Sequence, residues 1–241
     1  MYHEYIFRPL YNGLIFLFDT LPWIDAGLAV ILFTCIVKLA LFPLSKKAII
    51  TQARMKEIQP EIEALQVKFK DDKQALSLAT FDLYKKKQVN PFSSILLILI
   101  QLPILLALYS IFVRSGLPTV KTELLYSFIQ APVINMHFLG LFDIAGKSIT
   151  LSLIASVAQF FQIKYAVGKT PEKKENASFQ EDFARSMSVQ MKYIFPVMVF
   201  FISYTTSGVI AVYWTISSLF TLGQELYVKR HISQLNRQTK G

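Results

Sequence analysis

Apolar residues in this chain gather in long runs rather than alternating, and five runs approach the roughly 20 residues that a helix needs to cross a bilayer: 24–42, 92–113, 148–167, 192–207 and 209–228. The last two are nearly continuous. Tyr193 to Val228 is 36 residues, too many for one crossing at a rise of about 1.5 Å per residue. Thr205-Thr206-Ser207-Gly208 supplies a polar break for re-entry. The pattern predicts five membrane-spanning helices.

Ahead of the first run, Glu4, Arg8 and Asn12 recur every four residues among Tyr5, Ile6, Leu10, Leu14, Phe16, Leu17 and Phe18. This predicts an amphipathic helix over 1–22, with Glu4 and Arg8 placed to pair. It is expected flat on the outer interface, because its polar stripe would face lipid in a lone span. Pro22 and Trp23 mark the turn into the bilayer and the start of a core over 23–241. Between the first two runs, Met55, Ile58, Ile62, Leu65 and Phe69 build one apolar stripe, and Leu76, Ala79 and Leu83 repeat it. With Lys70-Asp71-Asp72-Lys73 as a polar connection, the stripes predict an antiparallel helical hairpin over 44–90. Ser45 is placed to cap its first helix, Pro60 to kink that helix or start its main part, and Asn90-Pro91 to end the second. The stripes read as the hairpin's own core rather than a partner-binding face, and its charged faces as solvated or touching lipid headgroups.

Composition agrees with this pattern and charge orients it. With 53% hydrophobic residues and a mean hydropathy of +0.42, 241 residues have too little polar surface to cover a soluble globule. The fold class is therefore an all-α membrane protein. Lysine and arginine number ten in 43–91, five in 168–192 and four in 229–241, nineteen together, against four on the opposite side: Arg8, Arg114, Lys121 and Lys147. Retained cations mark the cytoplasmic face, so the N-terminus is expected outside and the basic tail 229–241 in the cytoplasm. The first residues lack a basic start, an apolar stretch and a small-residue cleavage site, so neither a cleaved signal peptide nor a transit peptide is expected. The lone Cys35 excludes a disulfide framework or a cysteine-based metal site.

Catalytic chemistry has little support. His3, His137 and His231 fall on two sides of the membrane, there is no HExxH spacing, and no phosphate-cradling loop occurs among nine glycines. No enzyme activity, metal or cofactor is expected. Aspartate and glutamate are missing from the span centres, which argues against a proton relay, while Glu225 and Asp143 sit near span ends where solvation would explain them. Lys38, inside the first run, is the exception. A cation in hydrocarbon costs several kcal/mol on most estimates, so its ammonium either faces a watery groove or snorkels past Pro43, five residues on, to the interface. Both readings stand at this point. The spans also hold Gln101, Gln159, Gln162, Ser203, Tyr204, Tyr213, Trp214, Ser217, Ser218 and Gln224. Each alone serves as interhelical glue, at about 1 kcal/mol per hydrogen bond; together with Lys38 they describe a wet interior.

The run Ile36-Val37-Lys38-Leu39-Ala40-Leu41-Phe42-Pro43-Leu44-Ser45-Lys46, followed by Gln59-Pro60, Asp71-Asp72-Lys73-Gln74, Leu83-Tyr84-Lys85 and Val89-Asn90-Pro91, resembles the YidC-type membrane protein insertases. Gln101-Leu102-Pro103-Ile104, Ala107-Leu108-Tyr109 and Val212-Tyr213-Trp214 with Ser217 continue the match in order, from about residue 6 to 230. The resemblance implies a bacterial cytoplasmic (inner) membrane protein with five spans, an outer amphipathic helix, a cytoplasmic hairpin and a polar groove open to cytoplasm and lipid. It also weights Lys38 toward the groove. The family usually has arginine there, a Gly pair at Ser93-Ser94 and often Pro at Ser207, and this chain departs at all three. Lysine keeps the charge without the planar, bidentate fork. The large extra domain that some insertases carry is not expected here.

By this reading Lys38 attracts acidic residues of a nascent helix's outward-bound tail, while the apolar helix slides along 92–113 and 148–167 into lipid. Gln159, Gln162, Tyr213, Trp214 and Ser217 complete the substrate groove, and Gln101 is a structural tie between spans. Expected partners are nascent membrane proteins and the lipid bilayer, with the ribosome and the Sec translocase as further candidates through the basic tail. A helix-binding assembly chaperone without translocation and a small-solute channel are the alternatives.

Overall fold

The computed structural model describes residues 3–70, 72–90, 93–114, 116–167 and 179–238. It is mostly helical. Two compact units are present, Met1–Ala40 with Pro103–Gly223, and Leu41–Leu102 with Gln224–Gly241. Among the described residues, Ile149–Val167 and Arg185–Thr206 are long and apolar enough to cross a membrane, and Ala26–Ala40 with Phe42–Glu57 would be a third if taken as one span.

In the first unit, a π-helical turn His3–Phe7 leads into α1 (Arg8–Thr20). Arg8 Nη1 lies 3.4 Å from Glu4 Oε2, the expected pair. The polar stripe has a second use. Asn12 is buried; its Nδ2 donates to the Arg8 and Leu124 carbonyls, both at 2.9 Å, and its Oδ1 accepts from Tyr126 N at 2.7 Å. Arg8 Nε also donates to Leu124 O, and Tyr11 Oη accepts from Lys121 N. Backbone polar groups of the 121–126 loop are thus satisfied by α1 side chains, as buried amides require.

α2 (Ala26–Ala40) starts under a carboxylate: Asp25 Oδ1 accepts from Leu28 N at 2.9 Å, an N-cap bond, and Oδ2 accepts from Leu139 N at 3.0 Å. Leu139 belongs to the turn of a short antiparallel hairpin, β1 (His137–Phe138) and β2 (Phe142–Asp143), which the helical pattern did not predict. A carbon added to Gly27 would fall 2.1 Å from Phe138 Cδ2, so only glycine lets this hairpin close on α2. Asp143 is exposed and bonds Ala145 N.

α7 (Ile149–Val167) packs along α9 (Phe195–Thr206). Small buried residues Ser152, Ala155 and Ala158 allow the approach, and Ser156 Oγ donates to Pro196 O at 2.8 Å. α8 (Phe179–Val189) runs into α9 through a π-helical turn, Gln190–Ile194, beside the amide-lacking Pro196. Lys192, counted among cytoplasmic cations, is buried in that turn; Lys169, Lys173 and Lys174 lie outside the described residues. Leu153, Ile154, Val157 and Phe161 on α7, with Val197, Met198, Phe201 and Ile202 on α9, point outward. Apolar faces of this extent belong in lipid, not water.

The break expected near Ser207 is present. Ser207 is extended, at φ −166° and ψ 159°, and α10 (Gly208–Gln238) begins after it and runs on unbroken past Val228. The new helix is pinned by Gly208 N donating to Gly146 O at 2.8 Å and Val209 N to Ile144 O at 3.1 Å.

In the second unit, α3 (Phe42–Glu57) has Pro43 in its first turn. Ser45 does not cap it. Its Oγ donates back to Leu41 O at 2.9 Å from inside the helix, because Pro43, needing no amide partner, lets the helix start four residues earlier than expected. The helix stops at Ile58, and α4 (Gln59–Lys68) begins with Pro60 in its first turn. α5 (Lys73–Lys86) is capped by Asp72, whose Oδ1 accepts from Gln74 N at 3.0 Å and Ala75 N at 2.9 Å. It ends before Asn90: Gln88 turns left-handed at φ 52°, and Pro91 lies outside the described residues. Ile58, Ile62 and Val89 are buried together with Met55, Leu83 and Tyr84 against them, and Lys87 pairs with Glu61. Burial against these neighbours raises the Tyr84 hydroxyl pKa.

α6 (Ser93–Tyr109) carries Pro103 in its interior. On α10, Glu225 is buried rather than solvated, as its place near a span end had implied, and its Oε2 is 3.2 Å from Lys229 one turn on. Gln224 Nε2 lies 3.5 Å from Ser45 Oγ.

Candidate functional site

Lys38 stands in the last turn of α2, half-buried, with Nζ 3.2 Å from Thr221 Oγ1 on α10. Snorkelling would send the stem along the span toward water; this bond draws the ammonium across to a neighbouring helix. Thr221 Oγ1 in turn donates to Ser217 O at 2.8 Å, and the Ser217 side chain is hydrogen-bonded to Tyr213, which is fully buried. Residues 213, 217 and 221 are four apart, so they form one row on the helix. Lys38 meets the end of that row.

The adjacent row, 214 and 218, serves α7. Gln159 Oε1 accepts from Trp214 Nε1 at 2.7 Å and from Ser218 Oγ at 2.9 Å, while its Nε2 donates to Gln162 Oε1 at 2.9 Å. Gln159 is buried and Gln162 half-buried. Phe195 stands at an edge of the Trp214 indole, ring centres 6.4 Å apart. A glutamine that accepts twice and donates once is held in one orientation, since flipping its amide would turn an N–H toward the Trp214 N–H, which cannot accept, and an oxygen toward Gln162 Oε1.

Two clusters result: Lys38 with Tyr213, Ser217 and Thr221, and Gln159 with Gln162, Trp214 and Ser218. They share α10 and stand side by side on it. Every residue expected in the groove falls in one of them. Gln101 lies half-buried on α6. Thr221 was not foreseen, although the spacing of 213, 217 and 221 could have pointed to it. Ser203, also in the polar set, is buried on α9, with no hydrogen-bond partner for its hydroxyl among the described residues. Arranged in this way, a cation, hydroxyls and amides can attract and hydrogen-bond polar groups without breaking a covalent bond.

The sequence profile of the family described as 60Kd inner membrane protein matches residues 17–236. A protein of Clostridium tetani named Membrane protein insertase YidC is 33% identical over 211 residues, 88% of this chain and 84% of that protein. One of the same name in Fusobacterium nucleatum is 30% identical over 229 residues, 94% of this chain and 98% of its own. Another, from Francisella tularensis subsp. novicida, is 31% identical over 213 residues, 88% of this chain and 34% of a longer protein.

Proposed function

The chain belongs to the 60Kd inner membrane protein family, and we propose that this membrane protein insertase passes nascent transmembrane segments into the bilayer through a polar groove centred on Lys38. Insertion is not an enzymatic activity, and its substrates are nascent membrane proteins.

The observation that carries the groove is the meeting of Lys38 with the hydroxyl row of α10 beside the Gln159 cluster. A nascent helix has polar flanks, and about 30 Å of hydrocarbon is the main barrier to moving them. A hydrated groove reaching partway across shortens it. Lys38 attracts acidic residues of the outward-bound tail, and the apolar segment slides along 92–113 and 148–167, where α7 presents an apolar face. Hydrophobic transfer, with membrane potential acting on the acidic tail, drives the process.

Five spans, an outer N-terminus and a cytoplasmic C-terminus complete this reading. Nineteen cations on one side support the orientation. Glu61 at the start of α4 pairs with Lys87 after the end of α5, which supports an antiparallel cytoplasmic hairpin. The basic tail would meet anionic lipid, ribosomal RNA or the Sec translocase by charge.

Reconstitution of the protein alone with a single-span substrate tests the proposal. Protection of the substrate tail from external protease is expected; a tail that stays fully accessible rules out autonomous insertion.

A further inference from the structure

The bond between Lys38 and Thr221 has only one possible polarity. An ammonium carries donors alone, and a carbonyl accepts alone. Thr221 Oγ1 lies between them, 3.2 Å from Lys38 Nζ and 2.8 Å from Ser217 O, so its single proton goes to the carbonyl and its lone pairs turn to the ammonium. Threonine in a helix divides between two side-chain rotamers, and the back-bond to the preceding turn selects one of them. The acceptor that meets Lys38 is therefore fixed in direction by its own helix.

This matters for a lysine more than for an arginine. A guanidinium brings a planar fork that orients itself against a carboxylate, whereas an ammonium is a compact charge on a flexible four-carbon stem. Something outside the side chain has to aim it. We propose that Thr221 is a positioning residue for Lys38, holding its ammonium beside the hydroxyl row of α10, where it meets the carboxylates of an incoming tail. The inference rests on the tail-attraction reading of Lys38 above.

The experiment uses the full chain in proteoliposomes with two single-span substrates that differ only in the tail, one carrying aspartates and the other asparagines at the same places. The readout is the ratio of their initial insertion rates, which a general loss of folded protein leaves unmoved. Thr221→Val is expected to lower the ratio about fivefold, the effect of losing one such hydrogen bond. Thr221→Ala should do the same, and Thr221→Ser, which keeps the hydroxyl, should restore it. If Lys38→Ala lowers the ratio while Thr221→Val and Thr221→Ala do not, or if serine fails to rescue, the positioning role is overturned and tail attraction stands. If Lys38→Ala itself leaves the ratio unchanged, tail attraction fails and the inference falls with it.

Discussion

Trp214 Nε1 donates to Gln159 Oε1 over 2.7 Å, joining α10 to α7 through a short hydrogen bond. Ser218 uses the same oxygen, so one amide carbonyl satisfies two donors. Removing it strands both. Gln159→Leu is expected to destabilise the protein by about 2 kcal/mol, within the cost of leaving buried polar groups unpaired. A lowered thermal unfolding midpoint in detergent would show it. A Gln159/Trp214 double-mutant cycle should give a coupling of about 1 kcal/mol, and a coupling of zero would contradict the geometry.

Lys38 separates charge from shape. Lys38→Ala should slow insertion of substrates with acidic tails by about tenfold, the size of one charge-assisted contact, and Lys38→Arg should not. Protease protection of the tail in proteoliposomes reads both. Equal rates for Lys38→Ala and the parent would remove the charge from the mechanism.

Asn12 is expected to hold the 121–126 loop. Asn12→Asp keeps the acceptor for Tyr126 N but turns a carboxylate toward the Arg8 and Leu124 carbonyls, which it cannot bond. It should open the 121–126 segment, seen as faster trypsin cleavage at Lys121 in the detergent-solubilised protein. Asn12→Leu should do likewise, at a cost of about 2 kcal/mol.

Gly208 and Gly223 should respond oppositely to alanine. A Cβ at Gly208 would lie 2.9 Å from the Ile144 Cα, where backbone would have to move, whereas Gly223 has nothing within 4 Å. Gly208→Ala should cost about 1–3 kcal/mol through overpacking. Gly223→Ala, inside α10, should gain up to about 1 kcal/mol from helix propensity. Thermal unfolding of the two variants compares them directly.

Asp72→Ala should lower the stability of α5 by about 1 kcal/mol, since one carboxylate oxygen accepts from two first-turn amides. Hydrogen exchange at Gln74 and Ala75 is the local readout, and unchanged protection would count against the cap.

Much of the site was legible because its residues are anomalies. A lysine in an apolar run, and glutamines in a third, stand out against hydrocarbon without any knowledge of partners. What each one bonds to was not legible. Ser45 looks like a cap because serine favours that position, but Pro43 moved the helix start upstream of it. Glu225 looks solvated by its place near a span end, yet it lies on the buried side of α10. Thr221 attracts no notice in sequence, since a threonine in a membrane helix bonds its own backbone and costs little.

The sequence by itself determined the membrane class, the apolar runs, the break near Ser207 and the family, because hydropathy, charge bias and motif order are local or additive along the chain. Tertiary structure alone decided that Asn12 binds the loop at Leu124, that Asp25 reaches Leu139, and that Gln159 and Lys38 meet adjacent rows of one helix. Those contacts join residues more than fifty positions apart. A hydrogen bond across such a distance depends on how helices rotate and pack against one another, and no spacing within a single run encodes that.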